Sequence, residues 1–90
     1  MHLHWVYIIY SVSFDIFYKG YSLNIAKRLT QHNNNERRYT ANKGPWKLVF
    51  AQSFESKTEA LKREKGLKKY SKQQIKELCN SSLNQMDEVG

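Results

Sequence analysis

A chain of 90 residues with 40% hydrophobic and 13% aromatic content has room for one packed core and is too rich in aromatic side chains to be a disordered polymer. Fifteen Lys and Arg against eight Asp and Glu give a formal charge of +7 and a pI near 9.6, so the default partner is a polyanion, nucleic acid before others. The single cysteine, Cys79, excludes an internal disulfide, no Cys or His spacing resembles a zinc site, no apolar run approaches a bilayer-spanning length, and the first residues lack a secretion pattern; a cytoplasmic protein without a membrane partner is expected.

The run Trp5 to Tyr10 is aromatic and β-branched throughout, which predicts a strand buried on both faces. A polar break from Ser11 to Asp15 leads into a second strand, Ile16 to Tyr21, close enough to pair antiparallel with the first. A hairpin loop of about four residues then sets Tyr7 opposite Tyr18, both phenols on one face of the sheet. Ser22 or Asn24 can cap a helix whose Ile25, Leu29 and His32 recur at helical spacing, ended by Asn33 to Asn35. A basic loop from Glu36 to Pro45 closes on the breaker Gly44-Pro45. Trp46 to Ala51 reads as the third strand. Ser56 and Glu59 look like a capping box opening a helix to about Tyr70, and Ser71 caps a last short helix ending near Cys79.

The order β-β-α-β-α-α predicts an α+β domain over residues 1–79, a three-stranded antiparallel sheet flanked by helices. Residues 80–90 show no periodicity and little to bury, and a disordered C-terminal tail is expected. All fifteen basic residues lie between Lys19 and Lys76, with only Glu36, Glu55, Glu59 and Glu64 among them. The basic field therefore belongs to the folded body and not to a loose arm.

Glu64 falls near the centre of the stripe set by Ala60, Leu61 and Leu67, where an unpaired carboxylate is costly. It must meet a cation, hold a metal or line a cleft; a salt bridge or an exposed face, with Lys68 near the same stripe, is the plainer alternative. Arg28 and His32, four residues apart on the flank of the Ile25 and Leu29 stripe, can both reach the sheet. A guanidinium suits phosphate oxygens and an imidazole can shuttle a proton near neutrality, although a histidine at a helix end often only packs. Tyr7 and Tyr18 alone read as core aromatics.

Taken together, Trp5-Val6-Tyr7, Tyr18-Lys19-Gly20, Arg28 with His32, and a later helix bearing Glu64 resemble the GIY-YIG nuclease superfamily over roughly residues 6–78. Tyr39-Thr40, Pro45-Trp46-Lys47-Leu48-Val49 and the helix segment Glu59 to Lys65 are similar, more narrowly, to its small stand-alone bacterial members. The resemblance implies a metal-dependent endonuclease acting on DNA. Tyr7 is then the general base on the attacking water with Tyr18 beside it, Arg28 steadies the phosphate, His32 accepts or relays a proton, and Glu64 holds one Mg²⁺ or Mn²⁺ ion. Lys19, Arg37, Arg38, Tyr39 and Lys43 are expected to line the approach and contact phosphates or bases, ordinary surface being the alternative.

The sequence departs from the family pattern in having Trp5-Val6 for Gly-Ile, Lys19 for Ile, and Gln73 and Gln74 where many members carry an Asn on the last helix. No separate recognition domain is visible in these 90 residues, so substrate choice is expected to rest on nucleic-acid shape or on a partner protein. A basic binding module of the same fold that does not cleave is the competing function, and a pure protein-interaction domain ranks below it.

Overall fold

A computed structural model of the chain describes residues 2–89. The elements are β1 His4–Ser11, β2 Ile16–Ser22, α1 Ile25–Asn33, β3 Trp46–Phe54, α2 Lys57–Leu67, α3 Lys72–Cys79 and a 3₁₀ turn Met86–Glu88. The three strands form one antiparallel sheet in the order β2-β1-β3, the expected α+β architecture.

The central strand explains the layering. Val6 to Ile9 are all buried, and because successive side chains alternate between faces, they feed two cores. Val6 and Ile8 pack with Phe50, Ala60, Leu67, Ile75 and Leu78, which seats α2 and α3 on one face. Tyr7 and Ile9 pack with Ile25, Trp46 and Ala51 on the other, under α1. A bulge in the β1–β3 pairing between Ile8 and Ile9 moves the partner from Phe50 to Leu48, so each keeps to its own core.

The hairpin register differs from expectation. Tyr7 pairs with Gly20 and Tyr18 with Ile9, because β1 continues through Ser11, which pairs with Ile16. Ser11 is fully buried, donates its hydroxyl to the Lys43 carbonyl and accepts from Phe14 N; these bonds carry the strand one residue beyond its apolar run. A slip of two positions preserves side-chain parity, so both phenols still share the α1 face.

Helix starts follow their caps. Asn24, not Ser22, caps α1 by accepting from Lys27 N, while Ser22 binds the backbone of Asn24. Ser56 accepts from Glu59 N at the start of α2, but the reciprocal capping box belongs to α3, between Ser71 and Gln74. α2 ends at Leu67 and not near Tyr70, since Lys69 N and Tyr70 N bond three residues back to Gly66 and Leu67 and tighten the turn.

The expected disordered tail is an ordered strap through residue 89. The Asn84 amide donates to the carbonyls of Val49 and Cys79, both at 2.9 Å, and accepts from Ala51 N. Gln85 N donates to the Ala51 carbonyl and its side chain accepts from Ser53 N. Met86 and Val89 pack into the α1-side core. Polar amides here cover the open edge of β3, a stabilisation that hydrophobic periodicity does not register. No helix among the described residues is long and apolar enough to cross a membrane.

Candidate active site

The α1 stripe toward the sheet comprises Ile25, Arg28, Leu29 and His32, spaced as one helical face requires. Its last member lands on the phenols. His32 Nε2 lies 2.9 Å from the Tyr7 hydroxyl in a buried contact, and the Tyr18 ring centroid is 5.1 Å from that of His32. On the other side of the imidazole, Nδ1 lies 2.6 Å from the Thr40 hydroxyl. Tyr7, His32 and Thr40 are each at most 2% exposed, so a line of three polar side chains crosses otherwise apolar packing.

Tyr7 occupies this place because of Gly20. Its ring lies across the glycine: a Cβ there would sit 2.5 Å from both Cζ and the hydroxyl of Tyr7. The phenol therefore leans over β2, the edge strand, and not along β1. Thr40 is held as firmly by Trp46, whose indole N–H donates to the Thr40 carbonyl at 3.1 Å. Asn33 in turn clamps the Trp46 backbone, accepting from its N–H and donating to its carbonyl.

Charge around the pair is uneven. Burial pushes the Tyr7 phenol well above its ordinary value, with Tyr18 adding to the rise, Arg28 and Arg37 opposing it, and Glu64 raising it further. His32 is pushed down to about 4 by burial, then by Arg37 and Arg28. The histidine is thus neutral at physiological pH, and two guanidinium groups are close enough to act on both members of the pair. Those arginines line an open cleft of about 440 Å³ with Lys27, Gln31, Lys57 and Tyr21. The Gln31 side-chain oxygen is buried without a hydrogen-bond partner.

Glu64 shares the inner side of α2 with Ala60 and Leu67 and is half-buried, whereas Leu61 is exposed and does not belong to the stripe. α2 packs on the face opposite α1, yet the Glu64 charge is felt at the Tyr7 hydroxyl. The phenol leans out over β2, against which α2 also packs. Among the described residues the Glu64 carboxylate has no ion pair, the one between Lys72 and Asp15 being elsewhere, and no cluster of three or more His, Cys, Asp or Glu is present. One free carboxylate suits Mg²⁺ or Mn²⁺, which complete their shells with water and phosphate oxygens, and would not hold a structural zinc ion.

The structure thus gathers Tyr7, Tyr18, Arg28 and His32, with Glu64 acting on Tyr7 through its charge. Of the expected approach residues, Arg37 lines the cleft. Arg38 and Tyr39 lie exposed on the loop after α1, and Lys43 serves that loop through its backbone. Lys19 is a correction: strand alternation turns it away from Tyr18 onto the α3 face, in a pocket with Phe17, Tyr70 and Ile75, where burial lowers its pKa. Thr40 enters the sequence reading only as part of the Tyr39-Thr40 resemblance, with no role given to it, and Lys27 and Lys57 are not singled out there. Thr40 sits in an aperiodic loop, and the two lysines look like any other solvated charge until the fold sets them beside Arg28 and Arg37.

A three-stranded antiparallel sheet carrying a buried phenol and imidazole, with guanidinium groups in a neighbouring cleft, defines a small α+β domain with a basic site at one edge. The family description "GIY-YIG catalytic domain" matches residues 3–77, and the chain belongs to that family, a family of nuclease domains. Within it the chain is similar to small bacterial proteins. It is 39% identical over 74 residues to UPF0213 protein SSP2268 of Staphylococcus saprophyticus, covering 81% of this chain and 89% of that one. It is 38% identical over 80 residues to UPF0213 protein CPE1444 of Clostridium perfringens, covering 88% and 85%. The solution NMR structure of UPF0213 protein BH0048 from Bacillus halodurans superposes with a TM-score of 0.57 at 29% identity, covering 90% of this chain and 86% of that one.

Proposed function

We propose that this domain is a metal-dependent endonuclease that hydrolyses phosphodiester bonds of nucleic acid, DNA foremost, bound along the cleft of Lys27, Arg28, Arg37 and Lys57. The observation that carries the reading is the buried 2.9 Å contact between Tyr7 and His32 beside two guanidinium groups. A phenol is a poor base while it keeps its proton, and a neutral imidazole at hydrogen-bond distance is the acceptor it needs.

In this reading the Tyr7 proton moves to His32 Nε2, an uphill transfer because burial raises the phenol and lowers the imidazole. The phenolate takes a proton from water as the water oxygen bonds to phosphorus, the bond to the leaving sugar oxygen breaks, and that oxygen is protonated from solvent. Arg28 meets the negative charge that builds on the phosphate. Glu64 would hold a divalent ion, Mg²⁺ or Mn²⁺, which would supply positive charge to the reacting phosphate when bound. Arg28 and Arg37 lower Tyr7 and His32 alike, so a phosphate that neutralises them eases protonation of the imidazole and opposes loss of the phenol proton, while burial, the larger cause at both groups, stays in place.

We place the protein in the cytoplasm, where Cys79 stays a thiol; burial raises its pKa and keeps it unreactive. One observation favours the competing reading of a binder that does not cleave: α3 offers Gln73 and Gln74 in place of an Asn, and Gln74 is occupied in the helix cap. A cleavage panel of branched, nicked, single-stranded and duplex DNA, and RNA, run with Mg²⁺ and Mn²⁺, separates the two. Tyr7→Phe and Glu64→Gln are expected to abolish cutting and retain binding. Wild-type protein that binds all of these substrates and cuts none establishes the binder instead.

A further inference from the structure

We infer that Thr40 is a positioning residue that fixes His32 in the Nδ1–H form, leaving Nε2 bare to receive the Tyr7 proton. The inference deepens the nuclease reading and, for its catalytic consequence, rests on it; the tautomer itself does not.

Protons and acceptors are few along this buried line. Three hydrogens must be shared among Tyr7, His32 and Thr40. With Nδ1 protonated, the Tyr7 O–H donates to Nε2 at 2.9 Å, Nδ1–H donates to the Thr40 hydroxyl at 2.6 Å, and the Thr40 O–H points to the Arg37 carbonyl at 3.4 Å. Every hydrogen then has an acceptor. With Nε2 protonated the line runs backwards: Thr40 donates to Nδ1 and Nε2–H donates to the Tyr7 oxygen. The Tyr7 hydrogen then has no protein acceptor among the described residues and can turn only to a water at the phenol oxygen, in a side chain only 2% exposed. A buried donor without a partner is what folded interiors avoid.

The reversed arrangement would also be chemically inert, since a phenol that accepts from Nε2–H has no base to take its own proton. Thr40 is held for the task. Its N–H donates to the Arg37 carbonyl, and its own carbonyl accepts from the Trp46 indole and from Lys43 N. The loop that carries Arg37 into the cleft thus also carries the hydroxyl that orients the imidazole, an outer partner choosing which ring nitrogen faces the reacting group.

The test reads the tautomer by long-range ¹H–¹⁵N correlation of the imidazoles in ¹⁵N-labelled wild-type protein, Thr40→Val and Thr40→Ser near neutral pH. Wild type is expected to show His32 protonated on Nδ1. Thr40→Val, which keeps the shape and removes the hydroxyl, is expected to move the proton to Nε2 and lower cleavage by about 10²-fold, the lower end of what general acid–base catalysis contributes. Thr40→Ser is expected to restore both. A wild-type His32 protonated on Nε2, or a Thr40→Val protein unchanged in spectrum and rate, overturns the inference; the wild-type spectrum decides it even if Thr40→Val fails to fold. If wild type cuts nothing while its spectrum shows Nδ1–H, the nuclease reading falls and the assignment of Thr40 stands.

Discussion

The Tyr7 ring lies across Gly20, its partner in the β1–β2 ladder, so closely that a Cβ at position 20 would sit 2.5 Å from the hydroxyl and from Cζ. No glycine among the described residues has a positive φ, so the requirement is for space and not for an unusual backbone. Gly20→Ala is expected to drive the phenol off His32 and to cost about 1–3 kcal/mol as overpacking. Urea unfolding and the cleavage assay read the two effects. An alanine variant with wild-type stability and rate would show that Tyr7 has another way to sit.

Stability should depend on pH through His32. Its folded pKa of about 4 lies below the ordinary value of 6.5, so between these values the unfolded chain binds a proton that the folded chain does not. Stability therefore rises with pH in that window, is fully present above it, and is lost as pH falls toward 4. Between pH 7 and pH 5 the loss is on the order of 2 kcal/mol. Denaturant titrations at the two values are expected to show it, with a flatter profile in His32→Gln. Equal stability at both values in wild type would mean that the imidazole is not shielded from water.

Which parts could be read from the chain follows from what periodicity encodes. The four hydrophobic positions Val6 to Ile9 announced a central strand, and Arg28 with His32 shared a face because α-helical spacing leaves no other choice. The Tyr7–Tyr18 register moved by two because a buried serine extended β1, and parity alone kept the phenols together. The contact of Thr40 with His32 and the Asn84 strap stayed hidden for one reason: both act through polar contacts made by aperiodic backbone, and a hydroxyl or amide in a loop carries no mark of where the chain will fold it. Glu64 lay between these cases, its helix face legible and its reach around the edge strand not.

The cleft makes a prediction about salt. Lys27 and Lys57 line it from α1 and α2, and each phosphate they neutralise releases a counterion. Lys27→Ala and Lys57→Ala should each make the plot of log affinity against log salt for duplex DNA shallower by about 0.9. Affinity should fall alike across sequences. Lys19→Ala, removing a cation from the separate pocket beside α3, should leave the slope unchanged. Fluorescence anisotropy at several ionic strengths distinguishes them, and a change with Lys19 but not with the cleft lysines would put the nucleic acid against α3 and not in the cleft.

Asn84 tests whether the C-terminal strap is structural. Its amide satisfies Ala51 N, Val49 O and Cys79 O at once, on the edge of the sheet away from β2 and the leaning Tyr7 phenol. Asn84→Ala leaves those backbone groups without their partner and uncovers β3, at a cost of about 1–3 kcal/mol and with a greater tendency for edges to pair between molecules. The denaturation midpoint should fall and light scattering rise on warming, while cleavage measured well below the midpoint stays at the wild-type rate because the catalytic groups lie across the sheet. An unchanged midpoint would mean that water replaces the amide without penalty, and that the strap rests on β3 without holding it.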